Sequence, residues 1–158
     1  MCGINGIISL VKSLDLNSKI SEMNAAIFHR GPDLDGEFVA EENHFSIAMA
    51  MRRLSIIDLS SGKQPIFSSD NQKVIVFNGE IYNYKSLRAQ LKTVGYEFIT
   101  ESDTEVLLLS FDYWGVRDTL IKIEGMFAGV FLHKKTNTTY LFRDPYGQKP
   151  LYWSFDEN

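Results

Sequence analysis

The sequence has 158 residues, of which 44% are hydrophobic and 23% are charged, and these values are typical of one ordinary globular domain. Its formal net charge of -4 gives no electrostatic reason to expect binding to nucleic acid or to an anionic membrane. The single cysteine excludes an intramolecular disulfide and a cysteine-rich zinc site.

The apolar runs are short, and residues 47–51 form one of the longest. A membrane-spanning helix needs about 20 apolar residues. The N-terminus has neither a basic segment nor a long apolar segment, so it does not resemble a secretory signal. We therefore expect a cytoplasmic protein.

The first half of the chain predicts mainly strands. Residues 3–10 are typical of a buried strand, whereas Ile20, Met23 and Ile27 recur at the spacing of a helix over 19–28. A turn at Glu42-Asn43 is predicted between two strands. The strands predicted after the first helix lie at 37–40, 45–51, 53–58 and 73–77.

The second half predicts two helices followed by strands. Asn83 is a predicted cap for a helix that ends near Val94, before Gly95. Ser102 and Glu105 have the spacing of a capping box at the start of a second helix. A short helix is predicted at 117–123, and strands at 127–133, 138–142 and 151–155.

Strands outnumber helices in this prediction and occur in hairpin-like groups. This pattern favours an α+β fold with antiparallel sheets over an alternating βαβ fold. The sequence stops directly after a predicted strand, at Asn158. We therefore expect that a longer protein continues beyond it.

Cys2 is the first candidate for chemistry. Removal of Met1 would give Cys2 a free α-amine beside its thiol. The reference pKa values, about 7.7–8.0 for the amine and 8.5 for the thiol, put proton transfer between them at a cost of about 1 kcal/mol. One residue could then supply both the nucleophile and the base. The alternative is that this lone cysteine is a small buried apolar residue.

Asn78-Gly79 is the second candidate. An Asn side-chain amide and a Gly backbone N–H are suitable donors for an oxyanion. Gly also permits a close backbone approach that other residues prevent. The alternative is a hairpin turn, because Asn-Gly is the commonest dipeptide in such turns.

The order of motifs resembles the class II glutamine amidotransferase domains of the asparagine synthetase-like family, which are N-terminal-nucleophile hydrolases. The resemblance begins at Met1-Cys2-Gly3-Ile4 and Gly6 and covers essentially the whole chain. The further motifs are His29-Arg30-Gly31-Pro32-Asp33, Arg53-Leu54-Ser55-Ile56-Ile57-Asp58, Gln64-Pro65, Asn78-Gly79-Glu80-Ile81-Tyr82-Asn83, Ser102-Asp103-Thr104-Glu105, Gly125-Met126-Phe127-Ala128 and Arg143-Asp144-Pro145-Tyr146-Gly147-Gln148-Lys149-Pro150-Leu151-Tyr152.

The resemblance implies hydrolysis of L-glutamine to glutamate and ammonia through a Cys2 thioester. It implies that Asn78 and Gly79 form the oxyanion hole. By similarity, Arg53 binds the carboxylate of glutamine and Asp103 binds its ammonium. The full set of substrate-binding residues implied by the resemblance is Arg53, Ile57, Asn78, Gly79, Glu80 and Asp103.

Two other segments among these motifs are expected to have a structural role. Residues 30–33 are expected to order a loop near the glutamine pocket. Arg143, Asp144, Gly147 and Lys149 are expected to organise a turn between two late strands, with no part in catalysis.

The fold implied by the resemblance is a four-layer αββα sandwich of two antiparallel sheets. Residues 1–158 would form the amidotransferase domain, shortened at its C-terminal end, and a synthetase domain of the full-length chain would be its partner. No metal or organic cofactor is expected in this domain, whereas ATP and Mg²⁺ are expected in the synthetase domain. The acceptor of the ammonia would be aspartate or a sugar acid.

Two further expectations concern activity and assembly. Retention of Met1 would turn the Cys2 amine into an amide, so such a preparation should be inactive. An exposed edge strand would allow a homodimer. The alternatives are a non-catalytic scaffold domain that keeps the fold and an N-terminal-nucleophile amidase that acts on another amide.

Overall fold

The first sheet is built from three antiparallel strands near the N-terminus. Strands β1 (Gly3–Ser9) and β2 (Leu34–Glu41) both pair with the central strand β3 (Ser46–Arg53). The strands predicted at 3–10, 37–40 and 45–51 are therefore confirmed. The structure is a computed structural model that describes residues 2–11, 14–42, 44–54 and 63–155.

The second sheet has four antiparallel strands in the order in which they occur in the chain. They are β4 (Ile66–Phe67), β5 (Lys73–Ile81), β6 (Gly125–His133) and β7 (Thr138–Arg143). Strand β5 continues four residues beyond the predicted end at Phe77 and contains Asn78 and Gly79. The turn interpretation of Asn78-Gly79 is therefore wrong: both residues pair with β6 inside the sheet.

The first helix, α1 (Leu16–Ala26), begins three residues before the predicted start at residue 19. Asp15 explains the earlier start, because its carboxylate accepts a hydrogen bond from the Ser18 N–H and so caps the helix. No helix start was predicted at Asp15.

Helix α2 (Tyr84–Thr93) ends before Gly95, whose φ of 95° is favourable only for glycine. Asn83 occupies the cap position, but its side chain makes no capping hydrogen bond. It instead donates to the Lys122 carbonyl and accepts from the Glu124 N–H. Asn83 therefore joins the start of α2 to the segment that leads into β6.

Helix α3 (Asp103–Trp114) begins with half of the predicted capping box. Ser102 accepts from the Glu105 N–H, as expected. The Glu105 carboxylate does not return to Ser102; it accepts hydrogen bonds from the backbone N–H groups of Ile99 and Thr100. It thereby orders the segment that precedes α3.

Two other predictions have different outcomes. The short helix predicted at 117–123 is α4 (Val116–Lys122). The strand predicted at 151–155 is wrong, because those residues form no regular structure in the described chain. Of the strand predicted at 53–58, residue 53 ends β3 and residues 55–58 lie outside the described residues.

Strand β3 explains how the layers stack, because its side chains alternate between two environments. Ile47, Met49 and Met51 face the second sheet and pack against its apolar side chains. Ala48 and Ala50 face α1, where their small size permits close helix packing.

Strand β5 has the same alternation in the second sheet. Val74 and Val76 pack against the first sheet, whereas Ile75 and Phe77 pack against α2 and α3. The layers are therefore α1, first sheet, second sheet and the helices α2 and α3. This arrangement confirms the predicted four-layer fold. Within the described ranges, no helix has the length and hydropathy needed to cross a membrane.

Candidate functional site

A cavity of about 380 Å³ lies where β1 begins, β3 and β5 end and α3 begins. These elements are distant in sequence, and the antiparallel pairing brings them to one end of the sandwich. The site residues predicted from the sequence that line this cavity are Cys2, Arg53, Asn78, Gly79, Glu80 and Asp103. Ile57, the remaining predicted residue, lies outside the described residues.

Cys2 is half-buried at the entrance to β1 and lines the cavity. Its side chain also packs against the apolar cluster between the two sheets. The Arg30 guanidinium donates to the Cys2 carbonyl oxygen at 3.4 Å. A Cβ at Gly3 would lie only 3.0 Å from the Arg30 Cβ, so the start of β1 packs closely against residue 30.

The segment 30–33 also contacts the end of β3. The Asp33 N–H donates to the Arg53 carbonyl oxygen at 3.2 Å, and Pro32 forms a parallel bridge with Arg53. A Cβ at Gly31 would overlap the backbone of Arg52 and Arg53. This segment therefore contacts both Cys2 and Arg53, although it provides no cavity-lining residue.

Arg52 and Arg53 point to opposite faces of β3, as neighbouring residues of a strand do. Arg53 lines the cavity. The Arg52 side chain donates to the Asn24 carbonyl at 3.0 Å, and its guanidinium lies 5.3 Å from the centre of the Phe28 ring. Arg52 is thus held by the first helical layer.

Asn78 and Gly79 lie side by side at the cavity end of β5. Asn78 is 6% exposed, and among the described residues its side-chain amide has no hydrogen-bond partner. A Cβ at Gly79 would overlap the Met126 carbonyl oxygen of the neighbouring strand. Only glycine fits at this position, because any side chain would push β6 away.

Asp103 is the first residue of α3, and its carboxylate faces the end of β5. One oxygen accepts a hydrogen bond from the Ile81 N–H at 2.9 Å. Burial raises the pKa of Asp103 above its usual value, and the charge of Glu80 adds to this effect. A cation placed in the cavity would oppose both effects.

Lys149 also lines the cavity, although it was predicted only to organise a turn. It is 5% exposed. The Asp144 carboxylate holds the segment around it, since it accepts hydrogen bonds from the backbone N–H groups of Phe127, Tyr146, Gln148 and Lys149. Burial would raise the pKa of Asp144, but these donors outweigh it and lower the pKa.

This turn corrects part of the sequence analysis. Asp144 organises it as expected, but no strand follows the turn in the residues described up to Phe155. The motif 143–152 did contain Lys149, yet nothing in the sequence indicated that the lysine would be directed to the cavity.

Gln64 and Thr104 are two more lining residues to which the sequence analysis assigned no role. Both are buried. The Gln64-Pro65 pair was visible as a motif, but a side chain that bonds to a distant strand leaves no local sequence signal.

The charged groups of the cavity have both signs. Arg53 and Lys149 carry positive charge, while Glu80, Glu101 and Asp103 carry negative charge when ionised. Such a lining suits a zwitterion better than a simple anion or cation. In the described part of the chain, no group of three or more His, Cys, Asp or Glu side chains is arranged to hold a metal ion.

Comparison with known proteins identifies one family for this chain. The model of the glutamine amidotransferase domain matches residues 1–158. Asparagine synthetase [glutamine-hydrolyzing] 1 of Bacillus subtilis is 43% identical over 157 residues, which are 98% of this chain and 24% of that protein. Asparagine synthetase B of Escherichia coli is 34% identical over 100% of this chain and 28% of that protein. The chain thus spans about a quarter of the length of these relatives.

The solved structure of a glutamine phosphoribosylpyrophosphate amidotransferase from B. subtilis resembles the fold. The TM-score is 0.71 at 19% identity, and the match covers 91% of this chain and 37% of that one. At this identity the likeness establishes the fold alone. The family match over the whole chain goes further: the chain belongs to the glutamine amidotransferase domain family, and its close relatives are glutamine-hydrolysing asparagine synthetases.

Proposed function

We propose that the cavity binds L-glutamine and that Cys2, once Met1 has been removed, hydrolyses its side-chain amide. The observation that supports this proposal is that Cys2, Asn78, Gly79 and charged side chains of both signs line a single cavity. The resemblance of the motifs to glutamine amidotransferases assigns these residues their roles.

Substrate recognition depends on the two charges of the amino-acid head group. Arg53 binds the carboxylate of glutamine, for which a planar guanidinium is well suited. Asp103 binds the ammonium, and Glu80 supports it. Ile57 completes the substrate-binding set by its position in the same motif as Arg53. The amide carbon of the substrate would then lie against Cys2.

The reaction proceeds through a covalent intermediate. The Cys2 α-amine accepts the thiol proton, and the sulfur attacks the amide carbon of glutamine. Asn78 and Gly79 donate hydrogen bonds to the oxyanion of the tetrahedral intermediate. The C–N bond breaks, the departing nitrogen takes the proton from the α-ammonium, and ammonia leaves a γ-glutamyl thioester. Water, deprotonated by the same amine, then cleaves the thioester to release glutamate.

This chemistry requires the removal of Met1. With Met1 attached, the Cys2 nitrogen belongs to an amide and cannot act as a base. The additional residue would also crowd the cavity. The active form therefore begins at Cys2, and the Met1-bearing form is inactive as a glutaminase.

The proposed role of the whole protein is supported by its relatives, whose names describe glutamine-hydrolysing asparagine synthetases. The ammonia would supply a synthetase domain in the same full-length chain, where ATP and Mg²⁺ would activate an acceptor carboxylate. Aspartate and a sugar acid are the two candidate acceptors. The amidotransferase itself would act in the cytoplasm, either as a monomer or as a homodimer.

The direct experiment is an assay of glutamate release by protein whose mass confirms removal of Met1. We expect hydrolysis of L-glutamine, little hydrolysis of L-asparagine or simple acyl amides, and no activity in Cys2→Ala. Equal turnover of unrelated amides would support the amidase alternative. Absence of turnover in folded, Met1-free protein would support the scaffold alternative.

A further inference from the structure

Gln64 connects separate walls of the cavity through its side chain. The residue is 7% exposed and precedes the short strand β4. Its side-chain oxygen accepts from the Phe77 N–H at 2.6 Å, and its side-chain nitrogen donates to the Phe77 carbonyl at 3.1 Å. The amide thus makes the two hydrogen bonds that a neighbouring strand would otherwise supply.

The need for such a substitute follows from the sheet topology. Strand β4 pairs with β5 only at Ile66–Ile75 and Phe67–Val74. Beyond these pairs, the edge of β5 that approaches the cavity has no further β4 residue beside it. Phe77 is 2% exposed, so its N–H and carbonyl groups would lack water as well as a strand partner.

Phe77 immediately precedes Asn78, so its carbonyl group belongs to the peptide plane that leads into Asn78. A hydrogen bond to that carbonyl restricts the rotation of this plane. The orientation of the plane sets the direction of the Asn78 side chain and of the following Gly79 N–H. We propose that Gln64 is a positioning residue that aims both oxyanion donors. This inference rests on the proposed glutaminase function.

The backbone of Gln64 is itself fixed by the first sheet. A Cβ at Gly36 in β2 would overlap the Gln64 carbonyl oxygen, so the two backbones are in direct contact. Gln64 therefore links β2 of the first sheet to β5 of the second, the strand that contains Asn78 and Gly79. A shorter or apolar side chain would leave β5 without this connection.

Gln64 also reaches Asp103, but more weakly. Its nitrogen donates to the Thr104 hydroxyl at 3.4 Å, and that hydroxyl donates to the Asp103 carboxylate at 3.4 Å. Both distances exceed those of strong hydrogen bonds, unlike the two bonds to Phe77. We therefore expect loss of Gln64 to affect the transition state more than the binding of the substrate ammonium.

The test compares Gln64→Met with Gln90→Met, a matched change on the exposed surface of α2. In Met1-free protein, Gln64→Met should lower kcat for glutamine at least about tenfold, less than the roughly 10²–10³-fold cost of deleting a donor. KM should change by less than about threefold. Gln90→Met should change neither constant.

Alkylation of Cys2 by iodoacetamide distinguishes misplaced oxyanion donors from general damage to the site. The thiolate displaces iodide directly, so this reaction forms no oxyanion and does not depend on Asn78 or Gly79. The alkylation rate of Gln64→Met should stay within about twofold of the wild-type rate. A parallel loss of alkylation and kcat, or an unchanged kcat in the folded variant, would overturn the positioning role.

Gln64→Glu provides a second test should Gln64→Met fail to fold. The Glu carboxylate can accept from the Phe77 N–H but repels the Phe77 carbonyl, whereas a protonated carboxyl can donate to it. The ratio of variant to wild-type kcat should therefore rise as the pH falls from about 8 to about 5. A flat ratio would contradict the inference. Inactive wild-type protein would instead overturn the glutaminase function and the inference together.

Discussion

Asp103 and Asp144 lie near the same cavity, yet their surroundings have opposite effects on their pKa values. The Asp144 carboxylate accepts four backbone N–H groups, and these donors lower its pKa despite burial. The Asp103 carboxylate accepts hydrogen bonds from the Ile81 N–H and from Thr104, but burial outweighs them and raises its pKa. The fold itself stabilises the charge of Asp144. The fold stabilises the charge of Asp103 less, because burial outweighs its hydrogen bonds.

This difference separates a structural carboxylate from a recognition carboxylate. A negative charge that is costly in the empty cavity becomes favourable when an ammonium binds beside it. Asp103 therefore suits the proposed role of binding the substrate ammonium, whereas Asp144 holds the turn that carries Lys149. The comparison predicts that equivalent substitutions at the two positions damage different properties.

The largest effect should come from the cavity wall that performs chemistry. Asn78→Ala removes one proposed oxyanion donor and should lower kcat for glutamine by about 10²–10³-fold. The melting temperature should change little, since the side-chain amide has no hydrogen-bond partner among the described residues. Steady-state kinetics with thermal unfolding measures both. A loss below about threefold would exclude Asn78 from the mechanism.

Asp103→Asn should have the next largest effect, again on activity. If the proposed contact with the substrate ammonium exists, its loss in this variant should lower kcat/KM by about 10- to 100-fold, mainly through KM. Its unfolding free energy should be unchanged or higher, because the buried charge is unfavourable in the empty protein. A strongly destabilised Asp103→Asn variant would show that this carboxylate is structural.

Asp144→Asn should damage stability instead. An amide nitrogen would face backbone N–H groups that now donate to a carboxylate oxygen, at a cost of about 1–3 kcal/mol. Urea unfolding measures this loss directly. At a temperature where the variant remains folded, its KM for glutamine should stay within a few-fold of the wild-type value. A large rise in KM without loss of stability would reverse the assignments of the two aspartates.

The pH dependence of KM and of folding stability should also distinguish Asp103 from Asp144, although the effect is smaller. As the pH falls through the raised pKa of Asp103, its protonation should increase KM a few-fold and should favour folding, because the folded state binds this proton more tightly. Asp144, with its lowered pKa, contributes stability above its unfolded value of about 3.9, and this stability is lost as the pH falls through its folded pKa. In Asp103→Asn, the part of the KM profile due to Asp103 should disappear.

The smallest effect on stability and activity is expected for a substitution away from both Asp103 and Asp144. Tyr96 donates to the Asp112 carboxylate at 2.7 Å, and burial together with this hydrogen bond raises the pKa of Tyr96 to about 12. Tyr96→Phe should cost about 1 kcal/mol or less and leave kcat and KM unchanged. A change in glutamine kinetics would mean that the helical layer is coupled to the cavity more strongly than the contacts indicate.

Much of the fold could be predicted from local patterns. The continuous apolar run in β3 and the capping residue Ser102 each left a clear signal within a few residues. The predictions failed where contacts distant in sequence decide the structure. Phe155 ends a segment with apolar and aromatic residues typical of a strand, but no strand pairs with it in the described chain.

The predictions for the site also succeeded or failed according to whether a signal was present in the sequence. The resemblance of the motifs suggested Cys2, Asn78 and Asp103 together, and the fold brings them to one cavity. Lys149 and Gln64 were not assigned to the cavity because their positions depend on the Asp144 turn and on a bond to a distant strand. Neither relation has a characteristic spacing in the sequence.

The most direct test of the account uses the N-terminus itself. Preparations with different fractions of Met1-free protein, quantified by mass spectrometry, should release glutamate from glutamine in proportion to that fraction. Blocking the free α-amine with a single acetyl group should abolish turnover even though the thiol remains. Substantial glutamine hydrolysis by protein that fully retains Met1 would contradict the central claim that the Cys2 thiol and its own amine form the catalytic pair.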